Sequence, residues 1–311
     1  MLWLEINRIK TKSSLCCKTT AGSEVSKKKR VVVTGGSGRL GSYVVDRLKR
    51  NHAVTVLDIN PPKTNDVDYL NLSITDLAAL TKAFKDVDAI VHLAAVPNPR
   101  TSSPQACFTV NTQGTWTVLQ AAEDASVKRV VVASSDAATG LHYNPKDWAP
   151  QYLPVDEAHP IRPSEVYSLT KEITESICRC FSVRGKVEVI AIRPGHIVFE
   201  PEYPELLTRG SDVQNYHLWG FVAPEDVAQG FELALGVADG SYDCIFIGAA
   251  DGLNERPTLE LFKERFGVEP VVRKPELYAA MPNAGVFDIS HARQKLGYEP
   301  RFTRRDFGKP K

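Results

Sequence analysis

The sequence predicts an α/β fold: a doubly wound parallel sheet with helices on both faces, carrying a small C-terminal lobe. Three observations support this. Six short apolar runs alternate with helical runs between Arg30 and Ile192, and such alternation favours a parallel sheet covered on both faces. The first run breaks at a glycine turn, Gly35-x-x-Gly38-x-x-Gly41, that opens a helix. Beyond the sixth run the pattern becomes mixed, as expected of a lobe folded against the carboxyl edge of the sheet.

The glycine turn has a physical purpose. Val31-Val32-Val33 reads as a buried strand, and Ser42 to Arg50 as a helix. A helix N-terminus presents unpaired N–H groups and the positive end of the dipole, so it can hold a phosphate. The three glycines would supply a tight turn, close approach of backbone to pyrophosphate, and close helix–strand contact. A glycine triplet alone also fits a plain strand-to-helix turn. Here the second strand, Ala53 to Leu57, ends at Asp58, roughly 20 residues on, where an acid meets an adenosine ribose 2′-OH. Turn and acid together select a Rossmann-type dinucleotide site.

The remaining elements follow in order. Pro61-Pro62 opens a loop and Val67 to Leu72 is a third strand. Asp76 to Phe84 is an amphipathic helix with Leu77, Leu80 and Phe84 on one face. Asp88 to Ala95 is a fourth strand, followed by a proline-rich loop from Val96 to Pro104. Ala106 to Ala125 reads as one long helix through Asn111 and Gly114, and Lys128 to Ser135 as a fifth strand. After a long loop, helix Glu165 to Phe181 leads to the sixth strand, Val187 to Ile192. The tail holds a helix at Glu225 to Leu235, a strand at Asp243 to Ile247, and a helix at Thr258 to Phe266. Thr258 is its expected N-cap and Gly267 its stop. Val271-Val272 is a candidate further strand, and Asp288 to Leu296 a short helix ending at Gly297.

Composition excludes several function classes. A chain of 311 residues has ample core, and 43% hydrophobic with 24% charged residues is ordinary for a globular protein. A net charge of +1 gives no footprint for nucleic acid. No apolar run approaches the roughly 20 residues that cross a bilayer, so no membrane partner is expected. None of the six cysteines makes a C-x-x-C pair, and Cys178 and Cys180 would face apart on a helix. All six read as free thiols of a reducing compartment, so the expected location is cytoplasmic. No His/Cys/Asp/Glu cluster has metal-ligand spacing, and no metal is expected. Residues 1–28, rich in Lys, Ser and Thr, read as a disordered extension. Organellar targeting by it is left open, although Glu5 and Glu24 weaken that reading.

A second constellation is Tyr167-Ser-Leu-Thr-Lys171. On a helix i and i+4 share a face, so phenol and ammonium point the same way. A phenol near pKa 10 is a poor base, and a nearby lysine cation favours the phenolate. Tyr167 could then take a proton from a substrate hydroxyl while hydride leaves its carbon. The tetrad alone is common by chance. Its place before the sixth strand, with Ser134-Ser135 at the end of the fifth, puts it at the carboxyl ends of the strands, where ligands bind in such sheets.

With these residues in view, the chain resembles the extended short-chain dehydrogenase/reductases of the NAD-dependent epimerase/dehydratase group. The matching segments are TGGSGRLG at 34–41, HLAA at 92–95, NTQGT around Asn111, ASSDAATG at 133–140, PVDEAHPIRPSEVYSLTK at 154–171, IRPG at 192–195, WGFVAPEDVAQG at 219–230 and FDISHARQKLGYEP at 287–300. The resemblance implies NAD as cofactor and Ser135, Tyr167 and Lys171 as the catalytic residues. Gly35, Gly38 and Gly41 match the pyrophosphate loop, with Arg39 and Leu40 beside it. Asp58 matches the ribose-binding acid, which implies NAD over NADP. Asn71, where the family usually has Asp, falls near the adenine amine. Leu72, Leu93, Ala94, Ala95, Asn111 and Pro194 complete the implied cofactor contacts, together with Tyr167 and Lys171. Asp136 follows the catalytic hydroxyl as in sugar-nucleotide dehydratases, but Ala137 replaces the Glu those enzymes have next, which argues against dehydration.

Only about 25 residues separate Arg193 from the WGFVAPEDVA segment. Relatives acting on nucleotide-sugars usually carry a longer segment there. The compact arrangement is similar to uronate dehydrogenases, in which the arginine matching Arg193 meets a substrate carboxylate; in other relatives that arginine is structural. Asn98, Asp136, Arg193 and His196 are therefore the candidate substrate residues. His92 reads as a satisfied core histidine. Tyr216, His217 and Trp219 read as closing the core, with walling a pocket the alternative, and Asp147-Trp148 as a possible lid.

The expected organisation is an extension at 1–28 and one NAD-binding domain at 29–306, its substrate lobe formed mainly by 195–225 and 250–306. The leading expectation is an NAD-dependent oxidoreductase acting on a hydroxyl of a small sugar, sugar acid or polyol. A nucleotide-sugar epimerase and a non-catalytic dinucleotide sensor are the alternatives. By analogy with the family, the two long helices would form a homodimer interface.

Overall fold

The computed structural model describes residues 28–98, 100–142, 148–237, 240 and 242–307. Seven parallel strands form one sheet in the order β3-β2-β1-β4-β5-β6-β7. They are β1 (Arg30–Thr34), β2 (Ala53–Asp58), β3 (Asp68–Asn71), β4 (Ala89–His92), β5 (Arg129–Ala133), β6 (Glu188–Pro194) and β7 (Asp243–Ile247). Strand order reverses between β1 and β4, and there Thr34 pairs with His92.

The pleat sends alternate residues into two cores. On one face Val31, Val33, Val56, Val91, Val131 and Ile190 pack with α1 (Arg39–Leu48), α7 (Pro224–Gly236) and α10 (Ser290–Leu296). On the other, Val32, Leu57, Ile90, Val130, Val132 and Val189 pack with α2 (Leu77–Ala83), α4 (Gly114–Asp124) and α5 (Val166–Val183). Near-continuous β-branched strands are what burial on both faces requires. A third cluster, including Trp148, Trp219, Phe246, Phe262 and Phe287, holds the C-terminal lobe with α8 (Thr258–Phe266).

Several boundaries differ from expectation. The first helix begins at Arg39 rather than Ser42, because the Ser42 amide already bonds the Gly38 carbonyl at 3.0 Å. The long helix of 106–125 is three pieces: α3 (Pro104–Phe108), a π turn at Thr109–Gln113, and α4. Hydroxyls of Thr112, Thr115 and Thr117 donate to carbonyls four residues back, a pattern that loosens helices. Thr258 is not a cap: Pro257 precedes the helix, and the Thr258 hydroxyl donates to the Ala284 carbonyl at 2.6 Å. Val271-Val272 forms only an isolated bridge, from Val272 to Leu153. The segment after β6, to which no element was assigned from the sequence, makes a 3₁₀ turn at Glu200–Glu202 and helix α6 (Tyr203–Ser211). A short helix, α9 (Pro275–Ala280), was not expected from the sequence. The extension at 1–28, apart from Lys28, and Asp147 of the lid reading lie outside the described residues, as do Cys16 and Cys17. Cys107, Cys178, Cys180 and Cys244 are free thiols. Among the described residues no helix is long and apolar enough to cross a membrane.

Candidate active site

A cleft of about 1010 Å³ runs along the carboxyl ends of the strands, past the β1/β4 reversal. Its first half is built by the glycine turn. Gly35 has φ +72°, and a Cβ there would lie 2.5 Å from the Ala94 amide nitrogen. At Gly41 a Cβ would lie 2.1 Å from the Gly35 carbonyl oxygen, so helix and turn touch backbone to backbone. The N-terminus of α1 carries no side-chain cap and no acid in its first turn. Its amides are thus open toward the cleft, as an anion requires. Asp58, at the end of β2, accepts the Ser37 amide at 3.2 Å and the Asn60 amide at 3.0 Å, which orients its carboxylate on the cleft wall. Leu40, Leu72, Leu93, Ala94, Ala95 and Pro194 line the same cleft. These residues fit a dinucleotide: bare backbone and a helix N-terminus for pyrophosphate, an oriented acid for a ribose, and apolar strand ends along its length.

Ser135, Tyr167 and Lys171 meet further along. Glu165 caps α5 by accepting the Tyr167 amide at 2.6 Å and the Ser168 amide at 2.5 Å, which sets the first turn. One turn on, the Lys171 ammonium lies 5.7 Å from the Tyr167 ring centre and donates to the Ala133 carbonyl at 2.7 Å. Burial pulls Lys171 down to about 8. Burial also pushes the Tyr167 phenol well above its ordinary value, while its hydrogen bond to Ser135 works the other way. The Ser135 hydroxyl donates to Asp136 Oδ1 at 3.1 Å and accepts the Ala137 amide at 3.1 Å.

The far end of the cleft is a wall of rings. His196 and His217 stack with centroids 3.8 Å apart and planes 3° apart, and Tyr216 sits 4.0 Å from His217. His142, buried at 2% exposure, lies 5.1 Å from His217. Burial and the neighbouring His196 and His142 hold His217 well below the ordinary histidine value. Glu202 lies 3.4 Å from His196 Nε2 and 3.2 Å from the Arg39 guanidinium, which also covers the Phe199 ring at 4.0 Å. Among the described residues no group of three or more His, Cys, Asp or Glu is arranged to hold a metal ion.

Asn98, Asp136 and His196 line the cleft, as does Arg39. Three expected residues do not. Asn71 is exposed at the end of β3, its amide donating to the Ile59 carbonyl at 3.5 Å. Asn111 is buried and clamps the loop after β4 by accepting the Val96 amide at 2.7 Å and donating to the Val96 carbonyl at 3.1 Å. Arg193 is 2% exposed and bound through Nε and Nη2, each at 2.7 Å, to the carboxylate of Glu175. Its cation is paired with the Glu175 carboxylate, the arrangement that the structural reading expects. Tyr216 and His217, read as closing the core, wall the cleft instead, whereas Trp219 is core and donates to the Asp212 carbonyl at 3.0 Å. His92 is the buried histidine expected, between the hydroxyls of Thr34 at 2.7 Å and Thr115 at 3.3 Å. His142 and Glu202 were missed, having no local spacing to mark them.

Comparison with known proteins agrees with this geometry. The model of the NAD dependent epimerase/dehydratase family matches residues 31–209. An L-arabinose 1-dehydrogenase (NAD(P)(+)) of Haloferax volcanii is 30% identical over 211 residues, which cover 66% of this chain and 82% of that protein. A putative UDP-glucose 4-epimerase of Methanocaldococcus jannaschii is 32% identical over 184 residues, 56% of this chain and 58% of that one. Among solved structures, MoeE5 in complex with UDP-glucose and NAD superposes with a TM-score of 0.68 at 23% identity, covering 89% of this chain and 95% of that one. That likeness shows the shared fold. The chain belongs to the NAD dependent epimerase/dehydratase family, and it is an NAD-dependent enzyme of the short-chain dehydrogenase/reductase superfamily.

Proposed function

We propose that this family member oxidises a hydroxyl of a small free sugar, sugar acid or polyol. The observation that carries the reading is the convergence of Ser135, Tyr167 and Lys171 on a cleft whose far end is closed by a compact lobe. Between β6 and α7 that lobe has one 3₁₀ turn and one short helix, and His196, Tyr216 and His217 close over the space beyond the reacting groups. The relative named L-arabinose 1-dehydrogenase supports the same substrate size.

In this reading Ser135 holds the substrate hydroxyl, Tyr167 takes its proton, and Lys171 favours the phenolate through its charge. Gly35, Gly38, Gly41, Asp58 and the strand-end residues would hold NAD, whose nicotinamide supplies the hydride acceptor when bound. Asn98, Asp136 and His196 contact the substrate. The free thiols support a reducing compartment, the cytoplasm. Exposed Phe108, Trp116 and Leu169 on α3, α4 and α5 support a homodimer through these helices.

The test is NADH formation with a panel of aldoses and uronic acids. Turnover on one of them that falls about 10²-fold or more in Tyr167→Phe is expected, the usual scale for loss of a positioned acid/base. Tight NAD binding without turnover on any of them would refute the reading. Relatives named UDP-glucose 4-epimerase favour a second reading, nucleotide-sugar epimerisation. That one requires co-purifying NAD and a raised melting temperature with a UDP-sugar.

A further inference from the structure

His142 lies between two acceptors. Its Nδ1 is 3.1 Å from the Tyr216 carbonyl oxygen, and its Nε2 is 2.9 Å from Asp136 Oδ2. The Nδ1–H donates to the Tyr216 carbonyl, while the Nε2 contact with Asp136 is an ion-pair approach in which neither atom has a hydrogen-bond partner, so a protonated ring meets the carboxylate by its charge. Imidazole and carboxylate are both buried, at 2% and 5% exposure, so solvent does little to relieve a mismatch. Asp136 is thereby held from two sides. Its Oδ2 faces His142, and its Oδ1 accepts the Ser135 hydroxyl at 3.1 Å. With its hydrogen on Asp136 and the Ala137 amide at 3.1 Å, Ser135 has its remaining lone pair on the side of the Tyr167 phenol. On its other side His142 ties the Tyr216 backbone, and through it the ring wall of His217 and His196.

We propose that His142 is a positioning residue for the reaction: hydrogen-bonded to the Tyr216 carbonyl and set against the Asp136 carboxylate, it links Asp136, beside Ser135, to Tyr216 in the substrate wall, and so couples the orientation of the catalytic hydroxyl to the surface that reads the substrate. The charged and titratable groups facing it are Asp136 after β5, His217 from the segment before α7, and Arg265 of α8. The Phe287 ring, 6.2 Å away, closes the remaining side. Burial opposes a charge on His142, but the Asp136 carboxylate outweighs it and the Tyr216 carbonyl assists, so the ring is held above the ordinary histidine value. Arg265 works against this but more weakly.

The kinetic consequence rests on the sugar-oxidation reading; the protonation state does not. The first experiment is a long-range ¹H–¹⁵N spectrum of the full chain labelled at histidine nitrogen, with the His142 signals assigned by their loss in His142→Gln or, if that variant does not fold, by their contacts to Tyr216 and Phe287 in the wild type. Titration of the ring above the ordinary histidine value is the expected result, with a fall toward or below that value in Asp136→Asn, which removes the carboxylate. A wild-type ring that titrates at or below the ordinary histidine value overturns the proposal. The second experiment is kinetic, with L-arabinose and galacturonate. His142→Gln should raise KM for the sugar about tenfold or more, the scale of a buried charged acceptor left short of a donor. Asp136→Asn, which keeps both contacts without charge, should lose less. NADH affinity, read by fluorescence, should stay within about twofold, because the cofactor half of the cleft is built by other residues. An unchanged KM, or an equal loss of NADH affinity, overturns the positioning role. Absence of turnover by the wild type on every sugar would refute the substrate reading, while the spectrum still decides the bridge.

Discussion

The pair formed by Glu175 and Arg193 separates a structural arginine from a substrate-binding one. Glu175 is fully buried on α5, one turn beyond Lys171, and Arg193 is 2% exposed near the end of β6. Two N–H···O contacts of 2.7 Å join them, and the same carboxylate accepts the Ser134 hydroxyl at 2.6 Å. Glu175→Leu would leave a guanidinium buried without its counter-ion. Breaking one side of a buried pair costs about 3–5 kcal/mol. At roughly 2–4 °C per kcal/mol for a domain of this size, the melting temperature should fall by about 10 °C. The double variant Glu175→Leu, Arg193→Leu removes both charges and should recover most of the loss, since apolar replacement of a buried pair is often neutral. Thermal and urea unfolding monitored by circular dichroism measure both, with an unchanged m-value required for the comparison. The same proteins, assayed on a uronic acid and on the matching aldose, should retain one ratio of activities. A fall of under about 1 kcal/mol in Glu175→Leu would refute the structural account. Loss of uronate turnover alone in the double variant would return Arg193 to the substrate.

Two other outcomes follow from the geometry. Because burial brings Lys171 down to about 8, its charge, which in the proposed mechanism favours the Tyr167 phenolate, is lost as pH rises through that value. The value of kcat/KM for NAD, which reports groups of the free enzyme, should therefore fall on an alkaline limb near pH 8; a flat profile to pH 10 would contradict this. The stability sign is opposite, since a lysine depressed below its unfolded value penalises folding while charged, and that penalty fades between about pH 8 and the unfolded value. At the helical face, Trp116→Glu places a charge among exposed apolar residues of α3, α4 and α5, and should convert a dimer to a monomer by light scattering; a wild-type monomer would refute the interface.

What was legible in the sequence is what local spacing encodes. The glycine turn, Asp58 at a strand end, and Tyr167 and Lys171 one helical turn apart are each fixed by a backbone period, and all line the cleft. The β-branched strands were legible for the same reason, since burial on both faces leaves few other residue types. Asn111 was placed near the cofactor by the resemblance of its NTQGT segment, but its side chain faces the Val96 backbone, and the π turn that aims it there has no sequence signal stronger than Thr112, Thr115 and Thr117. Arg193 was ambiguous for want of Glu175, which is 18 positions away and on another element. His142 and Glu202 were obscured by the same limit, since 74 positions separate His142 from Tyr216 and 163 separate Arg39 from Glu202. The substrate half is assembled by such long-range contacts, and no periodicity announces them.

The two halves of the cleft also differ in how they respond to protons. Glu202 connects them, facing Arg39 of the glycine turn and His196 of the ring wall. Burial works against its ionisation, but His196, the Phe199 amide and Arg39 outweigh it and bring the carboxyl down to about 2. The carboxylate stays charged throughout any working range, and its contact with the Arg39 guanidinium holds the lobe to the turn. Lys171 and His142, by contrast, are shifted in opposite directions on the two sides of Ser135, the first downward by burial and the second upward by Asp136. A histidine held above its ordinary value loses its bridge as pH rises through the folded value, and Lys171 loses its charge near 8. The alkaline limb of sugar oxidation should therefore contain both losses. Asp136→Asn should remove the contribution of His142 and leave that of Lys171, so the variant's limb should sharpen toward a single ionisation near pH 8. A limb that is identical in wild type and variant would show that His142 does not titrate within the range of the reaction.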